Sequence, residues 1–311
     1  MTTAPLPLHL DSTMISCFRS CPQKFYLEFI LGRRPLGLSI DLHAGACFAS
    51  ALENVYKEIY KNDEGLGDAM QIAEAKFIFD WGDFEIPEYK RTSKTRDRVW
   101  AAIESYFQLY PPHLDHVQPY RGIDGSPTFE FTFALPLDYP GFPLHPSGDH
   151  FIYCGRFDML GSYMDRPCVR DEKTTGSSIG ASWADQWNLR SQFIGYTWAC
   201  RELGFDLDTV IVRGIAIQKT QIAHAEAIKV YSNELRERWF DQLRRDVIRI
   251  VAAHEAGVWD WNLADACSSY GGCVFRDACA APDPLPWLSN FEVKHWNPLH
   301  RNPVEEKEKA A

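Results

Sequence analysis

The stretch CGRFDMLGSYMDRPCVRDEKTTG, residues 154–176, decides how this chain folds. Two apolar, aromatic runs flank a short polar turn, which is the pattern of a β-hairpin. We expect strands over 150–163 and 167–175 to pair, which brings Asp158 beside Asp171 near one end of a sheet. Because successive strand residues point to opposite faces, Asp171 and Lys173 share a face and Glu172 points to the other.

This group of charges suits metal-assisted chemistry on phosphate. Two neighbouring carboxylates repel each other unless a cation lies between them, and ligands made only of oxygen suit Mg²⁺ or Mn²⁺. A lysine beside such a metal can orient or deprotonate a water and stabilise the charge that develops at phosphorus. The pattern therefore indicates phosphodiester hydrolysis. A surface hairpin with ordinary charges is the alternative, because such short patterns are common.

The rest of the chain places this hairpin in an α/β fold. Helical periodicity and end signals predict helices over 12–32 (Ser12 as N-cap, Gly32 as stop), 44–61, 94–110, 181–203 and 233–257. Strand patterns predict a strand over 128–137 and a second hairpin over 208–220 and 222–232. The order helix, three strands, helix, strand pair, helix indicates a central mixed sheet flanked by helices.

Composition limits the class of protein. The 311 residues, 45% of them hydrophobic, can bury a large core, and no linker divides them, so we expect one domain over 1–296 (core about 40–257) and a disordered polar tail over 297–311. No apolar stretch approaches the ~20 residues of a membrane span, and the N-terminus has no signal-peptide pattern. We expect a cytoplasmic protein without a membrane partner.

Charge argues weakly against a general polyanion binder. The formal net charge is −10, yet the segment YKRTSKTRDR, residues 89–98, forms a local basic stripe that includes Arg91, Lys94 and Arg96. Enzymes that act on nucleic acids often carry such a stripe on an acidic body. We expect these residues to contact DNA phosphates; a solvated loop that runs into a helix is the alternative.

Five segments, in this order, resemble the PD-(D/E)XK nuclease superfamily, and most closely its RecB-like branch of phage-encoded and CRISPR-adaptation-associated exonucleases. They are SCFRSCPQKFYLEFILG, TFEFTFALPL with Glu130, GRFD, DEKTTG and QFIGY. The resemblance implies a restriction-endonuclease-like fold. It also implies that Asp158, Asp171 and the backbone carbonyl of Glu172 bind the metal, and that Lys173 serves the attacking water.

The helix that follows the hairpin carries further candidates. Gln192 and Tyr196 are four residues apart, so they share one helix face. The resemblance implies that they contact DNA or the water around the metal, whereas a packed Tyr with a surface Gln is the alternative. By the same helix geometry Arg190 is a candidate phosphate contact.

The nine cysteines include three at a regular spacing: Cys267, Cys273 and Cys279 lie six residues apart. A zinc ribbon normally needs a closer pair, so three local thiolates and a remote fourth fit a four-iron four-sulfur cluster better; zinc and no metal stay as alternatives. The resemblance assigns the fourth ligand to Cys21, although the spacing here is wider than usual. Such a cluster would have a structural role, because it would cross-link segments 12–35 and 258–285. The other five cysteines are expected to be buried thiols.

One departure from the family pattern suggests another ligand. The helix before the strands usually has a metal-binding histidine four residues after a glycine, but here Ala49 stands four residues after Gly45. Glu53 lies one turn further on the same helix face, and we expect it to complete the metal site. An ordinary surface glutamate is the alternative.

Taken together, the sequence predicts a metal-dependent DNA exonuclease that acts on DNA ends, including single-stranded ones. The expected setting is recombination, repair or phage replication in a bacterial or phage-infected cytoplasm, with a recombination or helicase partner. A DNA-binding or inhibitory protein that keeps the fold without activity is the first alternative. An unrelated hydrolase is disfavoured, because neither G-x-S-x-G nor H-E-x-x-H occurs.

Overall fold

The computed structural model describes residues 4–37, 39–86, 92–122, 125–263, 265–268 and 272–299. The chain divides into two compact units. The first unit is drawn from Met1–Leu38, Phe133–Gly155 and Glu234–Arg301, and the second from Ser39–Thr132 and Arg156–Asn233. The single domain expected over 1–296 stays a prediction.

The strands, in chain order, are β1 (His9–Leu10), β2 (Arg33–Pro35), β3 (Val117–Pro119), β4 (Phe129–Pro136), β5 (Ile152–Tyr163), β6 (Arg166–Thr175), β7 (Thr209–Ile217), β8 (Ile222–Val230) and β9 (Phe291–Val293). The helices are α1 (Ser12–Ser20), α2 (Pro22–Phe25), α3 (Ile40–Lys61), α4 (Leu66–Trp81), α5 (Arg96–Leu109), α6 (Ala181–Asp185), α7 (Ser191–Glu202), α8 (Asn233–Ala256), α9 (Arg276–Ala280) and α10 (Leu285–Leu288). A π-helical turn, Tyr26–Ile30, continues α2, and a 3₁₀ turn covers Asp265–Cys267. No helix among the described residues is both long and apolar enough to cross a membrane.

The second unit is built on a mixed sheet, as predicted. Strands β5 and β6 form the antiparallel hairpin, and β7 and β8 form another. Strand β6 runs parallel to β7, with Glu172 beside Arg213. Strands β3 and β4 also pair with β5. Strand β6 pairs with β5 over Arg166–Arg170 and with β7 over Cys168–Thr175, so β7 fixes the register of its second half.

Helices cover both faces of this sheet. Helices α3, α4 and α5 pack on one face with Met159, Ile211 and Ile215 in a shared apolar core. On the other face Tyr196 of α7 packs edge-on against Phe157, with ring centroids 4.9 Å apart. Trp183 lies so close to β7 that a Cβ on Gly214 would come within 2.3 Å of the indole. The catalytic candidates on β6 therefore lie inside a three-layer arrangement.

The N-terminal segment of the first unit corrects the predicted helix over 12–32. The cap of α1 is Asp11, whose Oδ1 accepts a hydrogen bond from the Met14 N–H at 2.8 Å, and not Ser12. The helix breaks at Cys21, which has an extended backbone (φ −161°). Pro22 lacks the N–H that would continue α1 but suits the first position of α2. Gly32 follows in the left-handed region (φ +64°), consistent with the predicted stop.

Two other elements differ from expectation. Helix α4 was not predicted, since its buried positions Ala69, Ala73 and Phe77 include two alanines that give little hydrophobic signal. The helix predicted over 181–203 is interrupted between α6 and α7, where Trp187 turns inward and is buried. The other predicted helices and strands lie within a few residues of their expected positions, and the short elements β1, β2, β3, β9, α9 and α10 were not predicted.

Candidate active site

The two candidate metal-binding aspartates lie where β5 and β6 separate. The last residue pair of the hairpin on this side is Met159 opposite Arg170, and the next two residues are Asp158 and Asp171. Instead of continuing the ladder, the Glu172 N–H donates a hydrogen bond to Asp158 Oδ2 at 3.0 Å. The two strands therefore separate at Asp158 and Asp171, and the two carboxyl groups lie where the next backbone pair would have formed.

Asp171 and Lys173 share one face of β6 and form an ion pair, as strand alternation predicts. The Lys173 Nζ also lies 5.8 Å from the centroid of the Phe193 ring on α7. Burial, together with the charge of Asp158, raises the pKa of Asp171 to about 7, although Lys173 opposes this shift. Burial would lower the pKa of Lys173, but Asp171 and Asp158 outweigh it and the pKa is raised. Lys173 is therefore a cation that faces two carboxyl groups.

Glu130 on β4 joins this group, although the sequence had marked it only as part of a similar strand. Its Oε2 lies 2.5 Å from Arg156 Nε. Burial, followed by the charge of Asp158, raises the pKa of Glu130 to about 9; Glu53 and Glu172 add to the shift and Arg156 opposes it. The backbone φ of +48° is unusual for a residue with a side chain. A lone acid in a largely apolar strand is the sequence signal that could have indicated it.

Helix α3 brings Glu53 to the same group. Its Oε1 pairs with Lys57 Nζ at 2.5 Å, and its charge acts on Glu130. The helix passes close to β6, because a Cβ on Gly45 would lie 3.7 Å from Thr174 Oγ1. Glu53 is therefore near enough for its charge to act on Glu130, while its own carboxylate pairs with Lys57.

The side chain of Glu172 points away from the aspartates. Its Oε1 accepts a hydrogen bond from the Tyr106 hydroxyl at 2.7 Å and pairs with Arg170 Nε at 2.6 Å. Only the backbone of Glu172 therefore faces Asp158, which agrees with a role for its carbonyl and not for its carboxylate.

Gln192 and Tyr196 contact each other on α7. The Gln192 side-chain amide donates to the Tyr196 hydroxyl at 2.9 Å, and this hydroxyl donates to the Arg156 carbonyl at 2.7 Å. The Tyr196 ring is buried. The pair thus connects α7 to the strand residue that binds Glu130.

The predicted DNA-binding residues have different surroundings. Lys94 is buried (side chain 6% exposed), and its Nζ pairs with Asp41 Oδ1 at 2.9 Å. Arg96 is exposed and lines an open cavity of about 440 Å³ together with Trp81. Arg190 is exposed, with its guanidinium 5.9 Å from the centroid of the Trp187 ring. Arg91 lies outside the described residues.

The carboxylate group fits a hard divalent cation. Within the described ranges, no three acidic, histidine or cysteine side chains already converge in metal-binding geometry. Mg²⁺ needs no such cage, because it usually binds one or two carboxylates and keeps several waters. Asp171 Oδ1 and Glu130 Oε2 are buried and accept no hydrogen bond of good geometry, although each lies beside a cation. Asp158 and Asp171 could therefore hold such an ion, with the Glu130 carboxyl close by.

The predicted ligand cysteines are gathered in the first unit. Segments 20–26 and 259–262 are joined by two hydrogen bonds, from Gln23 N–H to the Asp260 carbonyl (3.0 Å) and from the Asn262 side chain to the Ser20 carbonyl (2.8 Å). Burial, with smaller contributions from the thiols of Cys273, Cys21 and Cys267, raises the pKa of the Cys279 thiol to about 11. Cys273 and Cys279 pack on the same apolar cluster as Leu27, which follows Cys21 in the N-terminal segment, and the described part of the chain shows no formed cluster site.

The other five cysteines are buried, as predicted. They are Cys17, Cys47, Cys154, Cys168 and Cys200. Burial raises the pKa of Cys168 to about 12, which keeps this thiol protonated. They contribute to packing and provide no exposed thiolate.

Comparison with known proteins identifies the class of molecule. The family model of the PD-(D/E)XK nuclease superfamily matches residues 12–280, so the chain belongs to this superfamily. Its members are phosphodiesterases that generally use Mg²⁺ or Mn²⁺. No curated protein matches the chain significantly.

Solved structures also match, among them the following two. One is a "putative exonuclease" from Eubacterium rectale, with 13% identity, a TM-score of 0.49 and coverage of 84% of this chain and 88% of that chain. The other is SSO0001, with 12% identity, a TM-score of 0.30 and coverage of 77% and 85%.

Proposed function

We propose that this chain is a metal-dependent DNA nuclease of the RecB-like branch that removes nucleotides from DNA ends in recombination, repair or phage replication. The observation that carries this proposal is the ion pair of Asp171 with Lys173 beside Asp158, at the point where β5 and β6 separate. The inactive alternative predicts altered site residues, whereas Asp158, Asp171 and the half-buried Lys173 are all present.

Asp158, Asp171 and the Glu172 carbonyl would hold Mg²⁺ or Mn²⁺. The bound cation would activate a water and neutralise charge on the phosphate. The Lys173 ammonium pairs with Asp171. If the Asp171 carboxylate held the cation, this ammonium would be able to donate a hydrogen bond to the attacking water or to a phosphate oxygen. The Tyr196 hydroxyl fixes the Arg156 backbone, and so the strand that carries Asp158.

We also propose that Cys21, Cys267, Cys273 and Cys279 bind a four-iron four-sulfur cluster with a structural role. The packing of Cys273 and Cys279 on the cluster that contains Leu27, and the hydrogen bonds that join 20–26 to 259–262, support this proposal. Ligands near both ends of the chain would restrict the unfolded state strongly, because loop-closure entropy grows with loop length. Thiolate ligands at these positions would join the N-terminal helices to the segment around α9.

Cleavage of end-labelled DNA tests the nuclease proposal. The purified protein is incubated with linear single-stranded, linear double-stranded and covalently closed circular DNA, in Mg²⁺, Mn²⁺ or EDTA. We expect metal-dependent loss of the linear substrates only. Lys173→Ala should lower kcat by about 10²-fold or more, whereas Lys76→Ala, which breaks an ion pair with Asp80 on α4, should not.

Three outcomes would contradict the proposal in different ways. Cleavage of closed circles would show an endonuclease. Undiminished cleavage by Lys173→Ala would exclude the proposed lysine role. Binding of DNA without any cleavage, under all metal conditions, would favour the inactive DNA-binding alternative.

A further inference from the structure

A group of buried charges lies on the face of the sheet opposite the candidate active site, and the proposed reaction does not use it. Asp115 precedes β3, Arg170 and Glu172 lie on β6, Arg213 lies on β7 and Glu226 lies on β8. Arg170 and Arg213 are among the largest fully buried side chains of the described residues. Buried charges are costly unless they are paired, so such a group needs a reason.

Arg213 is the centre of this group. Its two terminal nitrogens bind the two oxygens of Asp115 at 2.7 and 2.6 Å. Its Nε donates to Glu226 at 2.9 Å, and a terminal nitrogen also donates to the Tyr106 hydroxyl at 3.0 Å. Bidentate arginine–carboxylate pairs have the most defined geometry among ion pairs. Asp115 also lies 3.4 Å from Arg170.

The group ends at Glu172. Tyr106 donates to the Glu172 carboxylate at 2.7 Å and Arg170 lies 2.6 Å from the same oxygen. In the β6–β7 register Glu172 stands directly beside Arg213. The side chain of Glu172 is therefore fixed by two contacts, and both contacting residues are themselves fixed by Arg213 or Asp115.

The backbone of Glu172 faces the candidate active site. Its N–H donates to Asp158 Oδ2 at 3.0 Å. A residue whose side chain is anchored on one face of a strand has little freedom to rotate its peptide groups. Any tilt of the Glu172 peptide would move the hydrogen bond that orients Asp158.

We propose that Asp115, Arg170 and Arg213 are positioning residues for the catalytic centre: by fixing the Glu172 side chain on one face of β6, they fix the backbone N–H that orients Asp158 on the other. This inference rests on the proposed nuclease function. It assigns a role to the middle residue of the Asp-Glu-Lys segment, whose side chain does not touch the metal candidates. Outer contacts of this kind set ligand geometry in metal sites.

Mn²⁺ affinity tests the inference without requiring cleavage. Free Mn²⁺ is measured by electron paramagnetic resonance during titration of the full chain, and metal-free stability is measured by urea unfolding. Asp115→Asn should weaken Mn²⁺ binding about tenfold. High Mn²⁺ should restore most of the lost kcat, because the ligands themselves are intact.

Asp80→Asn is the matched control. Asp80 is also buried and has two partners, Lys76 at 2.6 Å and the Ser50 hydroxyl at 2.7 Å, but it lies on α4. It should lose stability and keep the wild-type Mn²⁺ affinity. If Asp115→Asn does the same, the group is purely structural and the inference is wrong.

Tyr106→Phe decides the case where Asp115→Asn does not fold. It removes one hydroxyl from Glu172 and keeps the ring in the core. A folded Tyr106→Phe protein with weaker Mn²⁺ binding supports the inference, and one with wild-type affinity overturns it. Wild-type protein that binds Mn²⁺ but never cuts DNA would refute the nuclease function, while the affinity of Asp115→Asn would still decide the positioning role.

Discussion

Replacing Asp171 with asparagine should stabilise the metal-free protein at alkaline pH while it abolishes metal-dependent cleavage. The Asp171 side chain is 1% exposed and lies beside Lys173. Burial and the charge of Asp158 raise its pKa from 3.8 to about 7, against the effect of Lys173. An ionised carboxylate at this position therefore costs the folded state free energy, and an amide does not carry that cost.

The sign and the size follow from proton linkage. The folded pKa lies above the unfolded one, so the contribution of Asp171 is complete below about pH 4 and is lost as pH rises through about 7. The difference is about three pKa units, or roughly 4 kcal/mol at about 1.4 kcal/mol for each unit. This difference already includes the opposing effect of Lys173, and relaxation around the ionised carboxylate reduces the gain. We expect a net gain of roughly 1–3 kcal/mol near pH 8.5 and a smaller one or a loss near pH 6.

Urea unfolding in EDTA at these two pH values is the assay. Asp80→Asn serves as the comparison, because Asp80 is a buried carboxylate with well-placed partners and no neighbouring acid in its hydrogen bonds. It should be less stable than wild type at both pH values. If Asp171→Asn is destabilised to the same extent near pH 8.5, the carboxyl groups do not repel each other as inferred. The metal-free site would then have no excess negative charge for a cation to neutralise.

Two further variants test other parts of the site. Glu53→Gln should reduce metal-dependent cleavage much more than DNA binding measured in EDTA, because its carboxylate would act on the metal beside Glu130; a native cleavage rate across a Mn²⁺ titration would exclude this role. Protein purified without oxygen should be brown and contain iron, and Cys279→Ser should bleach it and lower Tm. A colourless protein with one zinc ion would show that the thiols bind a different metal.

The local sequence pattern was sufficient to predict the hairpin and to predict on which face of the sheet each of its charged side chains lies. Apolar runs of the right length, a polar turn and strict alternation place Asp171 and Lys173 together without any tertiary information. The same holds for the Gln192–Tyr196 pair, because a spacing of four fixes a common helix face. These features depend on backbone geometry that the sequence pattern specifies directly.

Other parts of the site depend on contacts between distant segments. Glu130 is held near the aspartates by its ion pair with Arg156 and by an unusual backbone conformation. Neither feature can be recognised from the periodicity of the sequence. Asp115 stands in a connecting segment 98 positions before its partner Arg213, so nothing local links the two. Glu172 could be assigned to the opposite face, but its partners there could not be predicted.

Buried acids lie on both sides of the sheet around β6, but their pKa values are shifted in opposite directions. This difference supports the proposed position of the cation. Burial would raise the pKa of Asp115, yet the hydrogen bonds and charges of Arg213 and Arg170 outweigh it and the pKa is lowered. On the other face burial raises the pKa of Asp171 and Glu130, and Lys173 and Arg156 do not compensate. Burial is common to both faces, so it does not explain the difference. The nearby positive charge differs: Arg213 and Arg170 outweigh burial at Asp115, whereas Lys173 and Arg156 do not outweigh it at Asp171 and Glu130. The divalent ion that we propose would supply the missing positive charge.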